Sequence, residues 1–177
     1  CPPWYLAAYG AIQREQGEDA AQTFLFNHVN NIVSLVGGGR EASDAFIQNQ
    51  VGDALVTFEA ELINVDSAFP NEYPVIMPDS TLITEFPAVV IDEVVDRRGT
   101  REIAEAFIEF LFSPLAQQFY AITGYRPVNE RILSLNTKYR EIAAPFSIED
   151  LGGWDVLNPL LFDDGALFDQ ALAAANT

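Results

Sequence analysis

Three consecutive glycines, Gly37-Gly38-Gly39, form the segment of this sequence best suited to binding a small anion. They lie between an apolar run that predicts a buried strand, 31–36, and a periodic segment that predicts a helix, 40–50. At such a junction, unhindered backbone N–H groups and the positive end of the helix dipole can face one anion. Arg40 follows directly and is expected either to join the anion site or to brace the carbonyl groups of the loop. The alternative is a flexible turn that only connects the two elements.

The same residues also match a pattern found in dinucleotide-binding enzymes. The stretch from Gly37 to Ala42 fits G-x-G-x-x-A after a predicted strand, and Glu59 and Glu61 follow the next strand about 20 positions later. Glycine triplets satisfy this motif by chance, and a dinucleotide-binding domain normally continues through further strand–helix units. Here that alternation ends after Phe58 and gives way to helices. A nucleotide-binding enzyme is therefore the weaker interpretation.

Residue types used in catalysis and zinc binding are scarce in this chain. Cys1 is the only cysteine and His28 the only histidine, so neither a CxxC nor a paired-histidine spacing exists. No G-x-S-x-G nucleophile elbow is present. The turn Asp163-Asp164-Gly165 lacks the alternating ligands of a calcium loop, and acidic pairs arise by chance among 26 acidic residues. We therefore expect no enzyme, no metal site and no cofactor, and a structural role for His28.

Composition and charge describe a folded and strongly acidic protein. The chain has 177 residues, 49% of them hydrophobic, which is enough to bury roughly 70% of the unfolded surface. A formal net charge of −17 excludes a non-specific electrostatic interaction with nucleic acid or with an anionic membrane. No apolar run reaches the roughly 18 to 20 residues of a membrane helix. The start, Cys1-Pro2-Pro3-Trp4, lacks a signal-peptide pattern, which indicates a processed terminus, a piece of a longer polypeptide or, less favoured, a lipid-anchored cysteine.

Apolar periodicity predicts the elements that must position the glycine loop. Helices are predicted at 4–16, 20–29, 40–50, 59–64, 100–111, 113–124 and 166–175, and strands at 31–36, 54–58, 73–77 and 86–91. Thr100 and Ser113 are predicted helix N-caps, and Gly124 is a predicted left-handed stop. The first half of the chain therefore has an α/β pattern, and the second half is mostly helical.

The order of several segments along the chain carries a further signal. These segments are 4–10, the glycine loop with Arg40, 46–56, 86–95, 100–114, 125–127, 148–154 and 164–170. In this order they resemble the C-terminal half of the periplasmic sulfate-binding proteins, the substrate receptors of sulfate and thiosulfate ABC importers. The resemblance covers nearly the whole chain. It implies a type II periplasmic-binding-protein fold, with an α/β lobe and crossover strand at 1–92, a helical portion packing on the lobes at 93–177, and an absent first lobe.

The resemblance also implies how a ligand is held. In that family a fully dehydrated sulfate is bound by backbone N–H groups, hydroxyls and an indole N–H, with no cationic side chain in contact. By position, Gly39 would donate its N–H, Gly37 and Gly38 would shape the turn, and Arg40 would brace the loop. Phe58 stands where the family has the tryptophan whose indole donates to sulfate, and phenylalanine has no donor. Losing one hydrogen bond to a buried dianion costs about 1.5 to 3 kcal/mol.

A second departure lies at the start of the chain, where Cys1-Pro2-Pro3 replaces the Ser-Gly-Gly type stretch of the family. The two prolines remove two donors. The resemblance implies a periplasmic or other extracytoplasmic receptor that captures sulfate or a related oxyanion. Its further implied partners are the membrane subunits of an ABC importer and a missing N-terminal lobe. The alternative is an interaction module that has kept the fold and lost the ligand, which the missing donors at Phe58 and Pro2-Pro3 favour.

Overall fold

The computed structural model describes residues 3–175, with only the backbone of Pro3. Its α-helices are α1 (Pro3–Gln16), α2 (Glu18–Val29), α3 (Gly39–Asn49), α4 (Glu59–Ala68), α5 (Asp92–Arg98), α6 (Arg101–Leu111), α7 (Pro114–Ile122), α8 (Glu130–Ser134), α9 (Trp154–Leu157) and α10 (Leu167–Ala175). A 3-10 turn, Glu149–Leu151, precedes α9, and a π-helical turn, Asn158–Phe162, follows it. The predictions for Cys1 and Pro2 lie outside the described residues.

The chain divides into two compact units that alternate along the sequence. Unit 1 consists of the described residues of Cys1–Thr57, Ile76–Thr84 and Glu141–Thr177, and unit 2 consists of Phe58–Val75 and Glu85–Arg140. The predicted domain boundary after residue 92 refers to the lobes of a complete receptor and stays a prediction. The glycine loop belongs to unit 1, and Phe58 is the first residue of unit 2.

Unit 1 is built around the buried face of α1. Helix α1 packs against α2 and the strand β1 (Ser80–Leu82), and α10 packs against α2. Strand β1 pairs in parallel with β2 (Ala144–Phe146), with Ser80 opposite Ala144. The buried core of unit 1 comprises Tyr5, Leu6, Tyr9, Ala21, Leu25, Val29, Phe146, Leu151, Leu157, Leu161 and Ala171. Tyr5 and Tyr9 stand four residues apart, which puts both rings on one face of the helix.

Gly10 allows α1 to approach the end of β2 closely. A Cβ atom built at Gly10 would overlap the ring of Phe146, with its Cζ 2.7 Å away, and would lie 2.9 Å from Leu151 Cδ1. We expect Gly10→Ala to lower the free energy of unfolding by up to about 2 kcal/mol. The overpacking penalty of about 1 to 3 kcal/mol exceeds the helix-propensity gain of about 1 kcal/mol. Urea denaturation measures the change.

The matched control is Gly38→Ala, because nothing lies within 4 Å of a Cβ atom built at Gly38. The backbone of Gly38 is extended, at φ −161, which any residue can adopt. This control should leave stability nearly unchanged. An equal loss of stability in both variants would show that the close approach of Gly10 to Phe146 and Leu151 is not the reason why Gly10→Ala is destabilised.

The helices of unit 2 are held by side chains that bond to the backbone at their ends. Ser113 Oγ accepts a hydrogen bond from the N–H of Ala116 at 3.3 Å, so the predicted cap is confirmed. Gln117 is buried and donates to the carbonyl of Leu111 at 2.8 Å. Gly124 has φ +95, which confirms the predicted left-handed stop. Thr100 precedes α6 as predicted, but its side chain forms no capping hydrogen bond.

The four predicted strands are wrong, because 31–36, 54–58, 73–77 and 86–91 contain no strand in the structure. Their apolar side chains are largely exposed: Val33 is 71% accessible, Ile76 84% and Val89 77%. A strand requires a hydrogen-bonded neighbour, and a parallel neighbour comes from a distant part of the chain. A local apolar run therefore indicates strand propensity without indicating a partner. The observed pair, β1 and β2, lies in segments for which no strand was predicted.

Two helices, α5 and α6, differ from what their apolar patterns indicate. Helix α6 has a broad apolar face, yet none of its residues is buried, and Ile103 and Phe107 are 73% and 58% accessible. Helix α5 was not predicted, because its charged sequence, DEVVDRR, lacks a long apolar stripe. Among the described residues, no helix is long and apolar enough to cross a membrane.

Candidate functional site

The glycine loop forms the entrance to α3. Gly38 is the N-cap residue and Gly39 the first residue of this helix of 11 residues. The first helical hydrogen bond runs from the N–H of Ala42 to the carbonyl of Gly38 at 3.0 Å. The amides before it therefore have no carbonyl partner within the helix and lie at the positive end of its dipole. Gly37 and Gly38 are exposed, and Gly39 is half-buried.

One loop amide already has an acceptor. The N–H of Gly37 donates to Glu41 Oε2 at 2.9 Å, and both residues are exposed. Among the described residues, none accepts a hydrogen bond from the N–H of Gly38 or Gly39. The structure thus leaves available the amide of Gly39, which was predicted to be the donor. It also shows a carboxylate on the amide of Gly37, two positions before Gly39, and this contact was not predicted from the sequence.

Two hydroxyl groups lie at the backbone carbonyl of Gly39, the last residue of the glycine loop. The carbonyl of Gly39 accepts from Ser43 Oγ at 3.0 Å and lies 3.5 Å from Thr57 Oγ1. Ser43 is the buried residue of α3, at 4% accessibility. These contacts hold the peptide unit that joins Gly39 to Arg40, and they do not involve the N–H of Gly39, which belongs to the preceding peptide unit. Arg40 is exposed at the second position of α3, and its bracing role stays a prediction.

Phe58 lies in an aromatic group of unit 2. It is half-buried at the N-cap of α4, and its ring centroid is 6.0 Å from that of Phe86. The ring of Phe86 in turn meets Tyr125 edge-on at 5.8 Å. Phe58 therefore contacts the apolar ring of Phe86 and has no side-chain donor, in keeping with the departure noted in the sequence.

The start of α4 is held by an ion pair that joins distant parts of unit 2. Arg126 Nε lies 2.6 Å from Glu59 Oε2, and its terminal nitrogen Nη2 lies 2.8 Å from Oε1, a bidentate geometry. Arg126 also donates to the carbonyl of Arg140 at 2.6 Å. The hydrogen bonds to Glu59 raise the pKa of Arg126, against the opposing effect of burial. Sequence reasoning missed this pair because its members are 67 positions apart.

No group of three or more His, Cys, Asp or Glu side chains in the described part of the chain could hold a metal ion. His28 lies in the last turn of α2, with its ring stacked on Phe24 at 5.7 Å and 5.3 Å from that of Trp4. Burial lowers the pKa of His28 below its ordinary value. These contacts give His28 a packing role in unit 1.

The lowered pKa of His28 predicts a stability loss in mild acid. The unfolded chain binds the proton more readily than the folded chain, so this contribution is complete above pH 6.5, the ordinary value, and is lost as the pH falls through the folded pKa. We expect His28→Gln to reduce the difference in unfolding free energy between pH 7 and pH 5. Urea denaturation at both pH values measures it. An unchanged difference would mean that His28 is solvated in the folded protein.

Comparisons with known proteins agree with the segment order noted in the sequence. A family model described as bacterial extracellular solute-binding protein matches residues 2–126. A sulfate-binding protein of Synechocystis sp. is 33% identical over 170 residues, covering 95% of this chain and 48% of the relative. A thiosulfate-binding protein of Escherichia coli K12 is 31% identical over 175 residues, covering 96% of this chain and 52% of the relative.

A solved structure also matches the fold. The sulfate-binding protein SubI from Mycobacterium tuberculosis H37Rv superposes with a TM-score of 0.75 and 33% identity, over 90% of this chain and 54% of SubI. The predicted resemblance and the predicted type II binding-protein α/β class are confirmed. The chain spans about half the length of the curated relatives it matches. On this evidence, the chain belongs to the bacterial extracellular solute-binding proteins.

Proposed function

We propose that this protein captures sulfate or a related oxyanion outside the cytoplasm, in the periplasm, and delivers it to the membrane subunits of an ABC importer. The observation that carries the proposal is the available N–H of Gly39 at the entrance to α3. The names of the relatives, sulfate-binding and thiosulfate-binding protein, support the same class of ligand. The proposed role is binding and delivery, without catalysis and without a cofactor.

The proposed anion site is centred on main-chain groups. Gly39 donates its N–H, Gly37 and Gly38 give the loop its open surface, and Arg40 supports the loop. Oriented amides at a helix N-terminus stabilise a dianion without a contacting cation. The net charge of −17 does not oppose this, because distant charges are screened over about 8 to 10 Å while the donors act at contact distance. Phe58 is proposed as the position where this protein differs from a receptor with an indole donor.

We also propose two partners for this chain, an N-terminal lobe and the membrane subunits of the importer. A first lobe would close over the ligand, and the importer would receive the closed form. The domains at 1–92 and 93–177 are proposed as the parts contributed by this chain. Lobe closure gives the importer a way to distinguish loaded from empty receptor.

Calorimetric titration of the protein at its natural full length tests the proposal. The ligands are sulfate, thiosulfate, molybdate and phosphate, each titrated at the same ionic strength. Saturable binding of at least one of these anions is the expected result. A flat titration with all four would refute the receptor function.

A second candidate function is a protein–protein interaction module that has kept the fold and lost the anion. The exposed apolar face of α6, which includes Ile103, Phe107 and Phe110, favours it. So does the absence of a donor at Phe58. Tight association with a partner protein, together with no response to any of the four anions, would identify this function.

A further inference from the structure

Glu41 places a negative charge on the loop that is proposed to bind an anion. It is the third residue of α3, and its Oε2 accepts the N–H of Gly37 at 2.9 Å. A Cβ atom built at Gly37 would lie only 3.2 Å from the same oxygen, so the carboxylate lies directly over the loop. No cationic side chain of residues 3–175 forms an ion pair with it. Its charge is therefore not neutralised by a salt bridge.

The geometry differs from an ordinary helix cap. In a capping box, the acidic residue at the third helical position bonds to the N–H of the N-cap residue, which here is Gly38. Glu41 instead reaches one residue further, to Gly37. It therefore interacts with the loop itself, at an amide two positions from the proposed donor, Gly39. An oxyanion bound at Gly39 would find the amide of Gly37 already occupied, and it would be repelled by the negative charge of Glu41.

We propose that the Glu41 carboxylate is a built-in competitor of the bound oxyanion and sets the charge preference of the glycine loop. This inference rests on the proposed function. The carboxylate weakens the binding of a dianion more than that of a monoanion, because Coulomb repulsion scales with the ligand charge. A group that acted only as a helix cap would change stability without this dependence on ligand charge.

The test compares Glu41→Gln with the matched control Glu15→Gln. Glutamine keeps a carbonyl oxygen that can accept the N–H of Gly37, and it removes the charge. Glu15 is exposed on α1 in the same unit, so its replacement changes the net charge equally. Sulfate, as the dianion, and methanesulfonate, as the monoanion, are titrated calorimetrically into the full-length protein and both variants.

We expect Glu41→Gln to bind sulfate about three- to tenfold more tightly than the natural protein, at low ionic strength. The gain for methanesulfonate should be smaller, and Glu15→Gln should show neither gain. Equal sulfate affinities in the natural protein and Glu41→Gln would overturn the inference while leaving the proposed function intact. The absence of anion binding in all three proteins would overturn the proposed function and the inference together.

A second measurement examines the contact directly. The amide resonance of Gly37 should shift in Glu41→Ala relative to the natural protein and should stay in place in Glu15→Gln, because only the first variant removes its acceptor. An unchanged Gly37 resonance in Glu41→Ala would overturn the inference regardless of ligand affinity. Circular dichroism at 222 nm verifies that the variants remain folded.

Discussion

Replacing Gly39 with proline should weaken sulfate binding by about ten- to a hundredfold, since the variant lacks the amide donor on which the proposed site depends. A hydrogen bond to a charged group contributes about 1.5 to 3 kcal/mol, and each 1.4 kcal/mol is about a factor of ten in affinity. Proline also places its ring where the N–H would point. Calorimetric titration of sulfate measures the effect.

The backbone of this loop makes Gly39→Pro an informative variant, because the fold should tolerate it. Gly39 is the first residue of α3, the helical position that proline favours. Gly38, the residue before it, is extended at φ −161 and ψ 165, in the region that precedes proline readily. The helix should therefore form normally while the donor is lost.

The matched control is Gly39→Ala, which keeps the N–H. Gly39 is not among the glycines of positive φ, so alanine meets no backbone strain there. Normal sulfate binding by Gly39→Ala and loss by Gly39→Pro would assign the ligand to this amide. Undiminished binding by Gly39→Pro would contradict the proposed site.

The second large effect is expected from Phe58→Trp, which should strengthen sulfate binding about ten- to a hundredfold. The reason is the indole N–H, a donor that phenylalanine lacks. Phe58 is half-buried beside Phe86, and tryptophan keeps an aromatic surface for that contact. Sulfate titration measures the change, and molybdate and phosphate titrations show whether it is specific.

Phe69→Trp is the control for Phe58→Trp, because Phe69 is another accessible aromatic residue of unit 2 that contacts a ring, that of Tyr73. It introduces the same indole away from the position that resembles the family's donor, so sulfate affinity should not change. An unchanged or lower affinity in Phe58→Trp would mean that the family's donor geometry does not apply at this position.

The parts of the fold predicted correctly are those determined by local chemistry. Helices α1, α2, α3 and α7 follow from apolar spacing, and the start of α7 follows from the Ser113-Pro114 pair. Strand pairing could not be predicted in the same way. Ser80 and Ala144 pair although they are 64 positions apart, and neither segment has a strong apolar alternation. Parallel pairing depends on topology, which a local pattern does not specify.

In the candidate site too, the features with a local sequence signal could be predicted and the contacts between distant residues could not. The glycine loop and its position at the entrance to α3 are visible in the sequence, because three glycines before a periodic segment are a local signal. The contact between Glu41 and Gly37 has only a weak signal, an acidic residue four positions after the first glycine. The pair formed by Arg126 and Glu59 has none, since nothing in either neighbourhood identifies the other.

The alternation of the two units along the chain bears on how the protein folds during synthesis. The core of unit 1 combines α1 and α2 with Leu157, Leu161 and α10, so α1 and α2 emerge from the ribosome long before these C-terminal parts of the core. Contacts between segments so far apart carry a high loop-closure cost and slow folding. Until α10 has been made, the surface of α2 that packs against it is exposed, and a chaperone that shields this surface would act in this interval.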